Sequence, residues 1–271
     1  MGRVLEELLQ LLSLETVGDD VFLGQSQDLG WGRVYGGQVL GQALSAGERT
    51  VEPNRLVHSL HAYFLRPGDP GQPVEYLVER TREGRSFTTR RIRAEQGGRP
   101  IFFMAASFQI HEAGLEHQDA MPEVPDPDSL ASSTDLILQH ADRLPAAVVD
   151  WARMDFPIEL RPVEIGDPMN PVPSRPVQHV WMRAESELPD GPALHRYLLA
   201  YASDLVLLDT ALLPHGTNYW QVVLQMAYLD HAMWFHRDLR MDDWLLYAMD
   251  SPSAAGARVL VRGKFFDRSG V

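Results

Sequence analysis

Apolar residues at Val4, Leu5, Leu8, Leu9, Leu11 and Leu12, with Glu6, Glu7 and Gln10 between them, give residues 1–14 the period of an amphipathic helix. A second helical run covers residues 38–50, with Val39, Leu40, Ala43 and Leu44 on one face, directly after Gly36-Gly37. The pattern then changes. Residues 58–66 run to a turn at Pro67-Gly68-Asp69-Pro70, and strand candidates follow at 74–80 and 86–94. A Gly97-Gly98 turn leads into a further apolar strand at 100–110.

The same order returns in the second half. A helical run over 194–213 is followed by Pro214-His215-Gly216, and a strand at 229–237 echoes residues 60–66 with one insertion. Strand-like stretches at 244–250 and 257–266 come next, then a turn at 267–270. In the first copy the matching turn opens a long apolar strand; in the second only Val271 follows. The repeat therefore predicts a second unit without its final strand. Residues 112–152 lie between the copies, rich in Pro, Asp and Ser up to Thr134 and helical to about Trp151. They read as a connection packed on the surface. One helix across a curved antiparallel sheet, twice over, is an α+β architecture of two fused hotdog units. The expected division is 1–112, a connection at 113–152, and 153–271.

Composition narrows the function. A formal charge of −13, from 24 basic and 37 acidic residues, argues against a large nucleic-acid surface. Cysteine is absent, which removes disulfides, thiolate zinc sites and a cysteine nucleophile, and suits a reducing cytoplasm. The longest apolar stretch, 197–213, contains Asp204 and Asp209 and is too short and too charged to insert in a bilayer.

Several blocks resemble the type II acyl-CoA thioesterases, the double-hotdog family. They are Gly36-Gly-Gln-Val-Leu-Gly-Gln-Ala43, Val57-His-Ser-Leu-His-Ala-Tyr-Phe-Leu-Arg-Pro-Gly-Asp69 and Gly98-Arg-Pro-Ile-Phe-Phe-Met-Ala-Ala-Ser-Phe-Gln109. Tyr201-Ala-Ser-Asp204, Leu213-Pro-His-Gly216 and Leu229-Asp-His-Ala-Met-Trp-Phe-His-Arg237 continue the match in the family's order. The resemblance implies hydrolysis of acyl-CoA to fatty acid and CoA, without metal or redox cofactor, in a homodimer or homotetramer. It implies a water held by an Asp, a Ser or Thr, and a Gln near the C-terminus. Asp204 takes the Asp position. Tyr228 stands where the family carries Ser or Thr, with its hydroxyl farther from the backbone and a ring that competes for the thioester's space. The Gln would follow Gly270. An acyl-CoA-binding protein with weak hydrolysis is the alternative reading.

Thioester hydrolysis needs an activated water and a dipole at the developing oxyanion. Asp204 sits in an apolar run, where burial raises a carboxyl's pKa and makes it a better base; a partly exposed Asp on a polar face is the plainer alternative. Gly37 and Gln38, at the start of a helix, could offer N–H groups to a thioester oxygen or a phosphate. Arg80, Arg82, Arg85, Arg90, Arg91 and Arg93 crowd into fourteen residues. Arg90 and Arg91 are candidates for the CoA phosphates, although a solvated strand face paired with Glu79, Glu83 and Glu95 fits as well. His58, His61, His231 and His236 lack the companions of a ligand set and read as structural. No Gly-x-Ser-x-Gly elbow is present, and the motifs do not match the His-plus-acid pattern of hotdog hydratases.

Overall fold

The computed structural model describes residues 2–218, 221 and 224–271. Helix α1 (Arg3–Leu12) buries Leu5, Leu8 and Leu12, the spacing that brings one helix face onto a core. Short strands β1 (Glu15–Gly18) and β2 (Val21–Gly24) follow, then helix α2 (Gly36–Glu48). Strands β3 (Arg55–Phe64), β4 (Val74–Glu83), β5 (Phe87–Gln96) and β6 (Arg99–Ile110) complete the first half. On β6, Phe102, Met104, Ala106 and Phe108 are buried, so the period-two alternation puts one face of the sheet onto α2. Residues Gly37 to Gly47 of α2 are all buried. The polar groups among them are satisfied: Gln42 donates to the carbonyls of Leu11 (2.6 Å) and Gln25 (2.9 Å) and accepts from the Tyr76 hydroxyl (2.7 Å).

The connection forms two short helices, α3 (Ser133–Gln139) and α4 (Ala146–Ala152), rather than one continuous helix to Trp151. Pro145, unable to donate within a helix, stands at the start of the second. Strands β7 (Ile158–Pro162) and β8 (Val177–Ala184), helix α5 (Pro192–Ala202), and strands β9 (Asp230–Trp234), β10 (Leu245–Ala255) and β11 (Arg258–Asp267) make up the second half. All strand pairings are antiparallel. One sheet has the order β1-β2-β4-β5-β6-β3-β9, the other β11-β10-β8-β7. The larger sheet packs on α2, which lies against α5.

Two further features depart from the sequence reading. The helical run expected over 194–213 ends at Ala202 and continues as single turns at Leu207–Ala211 and Leu213–His215. Strand β9, a second-half element, pairs with β3, Tyr63 opposite Asp230 and Ser59 opposite Trp234, and so belongs to the first sheet. The smaller sheet ends at β11, where Val259 and Leu260 are 43% and 54% exposed. Its outer face is covered elsewhere: Trp181, Trp244, Leu246 and Phe266 pack against Met121, Val124 and Leu130 of the connection. Among the described residues no helix is long and apolar enough to cross a membrane.

Candidate active site

The two central helices run antiparallel with their backbones nearly touching, because glycine stands at the crossing. A Cβ on Gly37 would lie 2.3 Å from the carbonyl oxygen of Tyr201, and one on Gly41 3.1 Å from that of Tyr197. The N-terminus of α2 thereby meets the C-terminus of α5, and Asp204 lies at this junction. It does not sit within a helix but two residues past α5, in the turn that leads out of it.

Asp204 is 4% exposed. Burial pushes its carboxyl well above the usual carboxylate range, opposed by a bond from the Gly37 N–H and by the charge of Arg33. One oxygen, Oδ2, lies against Gly36, where a Cβ would come within 2.7 Å of it. The other, Oδ1, has no hydrogen-bond partner among the described residues. A buried carboxyl oxygen without a protein donor is an unusual and costly arrangement. The ring of Phe64, 3.2 Å from that same Gly36 position, walls the junction on the β3 side.

Tyr228 is present at the junction, yet its hydroxyl points to backbone. It donates to the Asp204 carbonyl (3.2 Å) and accepts from the Leu208 N–H (3.1 Å). Gly37 contributes its N–H to the Asp204 carboxyl. Gln38 turns the other way: its amide accepts from the Gln27 N–H (3.1 Å) and donates to the Gln25 carbonyl (3.1 Å) and to Gln42 (3.3 Å). Its side chain fixes the segment before α2 and is not free to reach a ligand.

The arginine cluster separates by strand face. Arg90 points inward, fully buried, and donates to the Thr50 hydroxyl (2.6 Å) and carbonyl (2.8 Å) and to Glu83. The expectation that it binds CoA phosphates is corrected: its guanidinium is committed to holding the chain just after α2. Arg91, next in sequence, is exposed on the opposite face, 6.0 Å from the Phe103 ring. Arg80 pairs with Asp20 at 2.7 Å, and Arg93 with Glu95 at 2.5 Å. The cation whose charge reaches Asp204 is Arg33, exposed in the segment before α2 and bonded to the Met226 carbonyl at 3.4 Å.

Three of the four histidines have structural partners, and His236 is exposed. His58 Nε2 meets the Ser107 hydroxyl at 2.8 Å, His61 stands edge-on to Trp234 at 5.3 Å, and His231 Nε2 meets the Ser203 hydroxyl at 3.1 Å. Burial lowers His231 to about 4, so it is neutral near pH 7.

Residues 150–271 match the acyl-CoA thioesterase family, and residues 26–109 match the acyl-CoA thioesterase N-terminal domain. The acyl-CoA thioesterase 2 of Haemophilus influenzae is 38% identical, with 100% of this chain and 94% of that protein covered. The chain belongs to the acyl-CoA thioesterase family. A solved acyl-CoA thioesterase II from Mycobacterium marinum is 41% identical with a TM-score of 0.79, covering 98% of this chain and 92% of that one. A hot dog fold protein of unknown function from Alicyclobacillus acidocaldarius is 18% identical with a TM-score of 0.77, over 97% of this chain and 93% of that one, a likeness of fold alone. The double-hotdog architecture read from the repeat is the one found.

Within this acyl-CoA thioesterase, several junction residues carried no recognisable signal. Asp209 is half-buried, pushed up to about 7 by burial, and its charge reaches Tyr228. Tyr35 and Tyr247 are buried beside Asp204. Arg33 follows Gly30-Trp31-Gly32, a stretch that reads only as a turn.

Proposed function

We propose that the chain hydrolyses fatty acyl-CoA to free fatty acid and CoA, with Asp204 as the base that activates the attacking water. The observation that carries this reading is the buried carboxyl of Asp204, bonded through one side to Gly37 and unpartnered at Oδ1. Kinship with the acyl-CoA thioesterases supports the reaction, and this geometry supports the residue. A water bonded to Oδ1 gives its proton to the carboxylate as its oxygen attacks the thioester carbon. The C–S bond then breaks, and the same proton passes to the departing CoA thiolate. A base whose burial raises its pKa is suited to both transfers.

The N-terminus of α2 supplies the complementary field. Its first N–H groups have no partner within the helix, and its dipole favours negative charge. The carboxylate and the developing oxyanion both gain from it. In this reading Gly37 orients Asp204, Tyr228 holds the turn that bears it, and exposed Arg33 and Arg91 are the remaining candidates for CoA phosphate, Arg33 being the nearer in charge. The partner is acyl-CoA, in a homodimer or homotetramer located in the cytoplasm; sedimentation and cell fractionation test the last two.

A second reading, acyl-CoA binding with weak hydrolysis, draws on Tyr228. Its hydroxyl donates its proton to backbone, leaving the water with fewer partners than a site with a free hydroxyl. Thiol release from a series of acyl-CoAs separates the two readings. Asp204→Asn, near-isosteric but unable to accept a proton, should lower turnover by about 10²-fold or more with an unchanged circular dichroism spectrum. Wild-type turnover in a folded Asn variant removes Asp204 from the mechanism.

A further inference from the structure

The end of α5 is unusual in how its backbone carbonyls are satisfied. The last four carbonyls of a helix have no partner within it. Here the Leu199 carbonyl accepts from the Ser203 N–H (2.8 Å), Ala200 from the Ser203 hydroxyl (2.9 Å), and Ala202 from the Leu205 N–H (3.1 Å). The remaining one, on Tyr201, accepts from the hydroxyl of Tyr35 at 2.8 Å. The next two carbonyls along the turn are also taken by tyrosines: that of Ser203 by Tyr247 at 3.1 Å, and that of Asp204 by Tyr228 at 3.2 Å. Three tyrosines from three separate segments thus close on four residues of backbone.

Chance supplies no good account of this convergence. Tyr35 precedes α2, Tyr228 precedes β9, and Tyr247 lies on β10. Tyr35 and Tyr247 are 5% and 3% exposed, so each hydroxyl must find a partner inside. Tyr247 is further fixed by its ring, stacked on Phe265 at 3.9 Å. Space for that ring depends on a glycine of the neighbouring strand, since a Cβ on Gly263 would come within 2.2 Å of it.

We infer that Tyr35, Tyr228 and Tyr247 are positioning residues for Asp204: their hydroxyls cap the carbonyls at the end of α5 and fix where its carboxyl points. The inference rests on Asp204 as the base and extends that reading to what holds it. Two physical effects make the cage matter. A carboxylate at a helix C-terminus faces the negative end of the helix dipole, and each hydroxyl donated to a carbonyl offsets part of that charge. Placement is the second effect, because an ångström of displacement at a reacting group costs about 10²-fold in rate. The other charged or titratable groups facing Asp204 are Arg33, Tyr201, Asp209 by way of Tyr228, and His231 through Ser203. Neutral His231 and exposed Arg33 leave the tyrosine hydroxyls as the close donors on the α5 side.

The test uses the full chain with single Tyr35→Phe and Tyr247→Phe substitutions, each alone and combined with Asp204→Asn. Turnover and KM for a medium-chain acyl-CoA, the acid limb of the kcat–pH profile and the melting temperature are measured. The expected result is about a tenfold loss of kcat in each Phe variant with KM within about twofold. The acid limb should move upward, because losing a donor disfavours the carboxylate. In the Asp204→Asn background the Phe changes should have no further effect, since they act through that residue. Gly263→Ala, whose added Cβ meets the Tyr247 ring, should reproduce Tyr247→Phe by displacing that ring. Wild-type kcat in the Phe variants, or a kcat that falls together with melting temperature while the acid limb stays in place, overturns the positioning role. An active Asp204→Asn enzyme instead overturns the base assignment, so the two failures are distinguishable.

Discussion

The helix pair has two ends, and the chain treats them differently. Glu48 lies twelve residues after the first residue of α2, as Asp204 lies twelve after the first residue of α5. Each is an acid at the C-terminal end of a central helix, and burial raises both; Glu48 reaches about 7. Around Glu48, however, a tyrosine hydroxyl bonds to the carboxyl itself. The Tyr197 hydroxyl donates to it, and the Arg196 guanidinium, paired with Asp238 at 2.8 Å, lowers its pKa in part. Buried Arg90 reinforces that end by holding Thr50. Around Asp204 the tyrosines bond to the backbone and leave the carboxyl free. Burial raises both carboxyls, so what separates the two ends is whether the neighbours spend their donors on the carboxyl or on the chain that carries it. The proposed base is the one the tyrosines leave free.

The strongest way to break the comparison is at the helix crossing. Gly37→Ala drives a Cβ into the Tyr201 carbonyl and the Tyr35 ring. Backbone cannot yield as a flexible side chain does, so a stability loss of about 3 kcal/mol is expected, with activity falling alongside. Chemical denaturation and thiol release measure both; a stable, active Ala variant contradicts the close approach.

Arg90→Met comes next. It leaves the Thr50 carbonyl without its donor and Glu83 with only the Thr88 hydroxyl, and should cost about 2 kcal/mol while KM for acyl-CoA stays the same. A rise in KM without loss of stability would return Arg90 to a phosphate-binding role.

Glu48→Gln sharpens the contrast through pH. Glu48 is raised from 4.5 to about 7 in the folded protein, so the folded state holds more protons than the unfolded state between those values. Its contribution favours the fold below about pH 4.5 and is lost as pH rises towards 7. The Gln variant lacks this loss, and its melting temperature should gain on wild type as pH rises through that window. Parallel melting curves across the window would show that Glu48 is not held neutral. The smallest effect is expected from Arg33→Gln. As an exposed cation at the mouth of the junction, it should raise KM a few-fold, more at low salt than at high, without moving the melting temperature. A salt-independent KM equal to wild type would exclude it from phosphate contact.

Strong periodicity made much of this legible. The apolar spacing of 1–14 and 38–50 became α1 and α2, and the strands around Gly97-Gly98 became β5 and β6. Four strands escaped. β1 and β2 are only four residues each. In β8 the consecutive Val180, Trp181 and Met182 are all buried, because the connection covers the sheet's outer face and erases the alternation. The end of α5 was equally hidden, since no Gly or Pro marks Ser203-Asp204; tertiary bonds from distant tyrosines shape the turn there. Arg90 and Arg91 look alike in sequence, and only strand register sends one inward and the other out. The Asp204 position was readable from its motif, whereas the cage around it was assembled from residues with no local signature.

The most direct test is a paired one: turnover of Asp204→Asn and Glu48→Gln in the same thiol-release assay, each with its melting temperature. The account predicts a loss of about 10²-fold or more for Asp204→Asn and turnover within about twofold of wild type for Glu48→Gln, with both variants folded. Equal losses at the two acids, or a fully active Asp204→Asn, would contradict it.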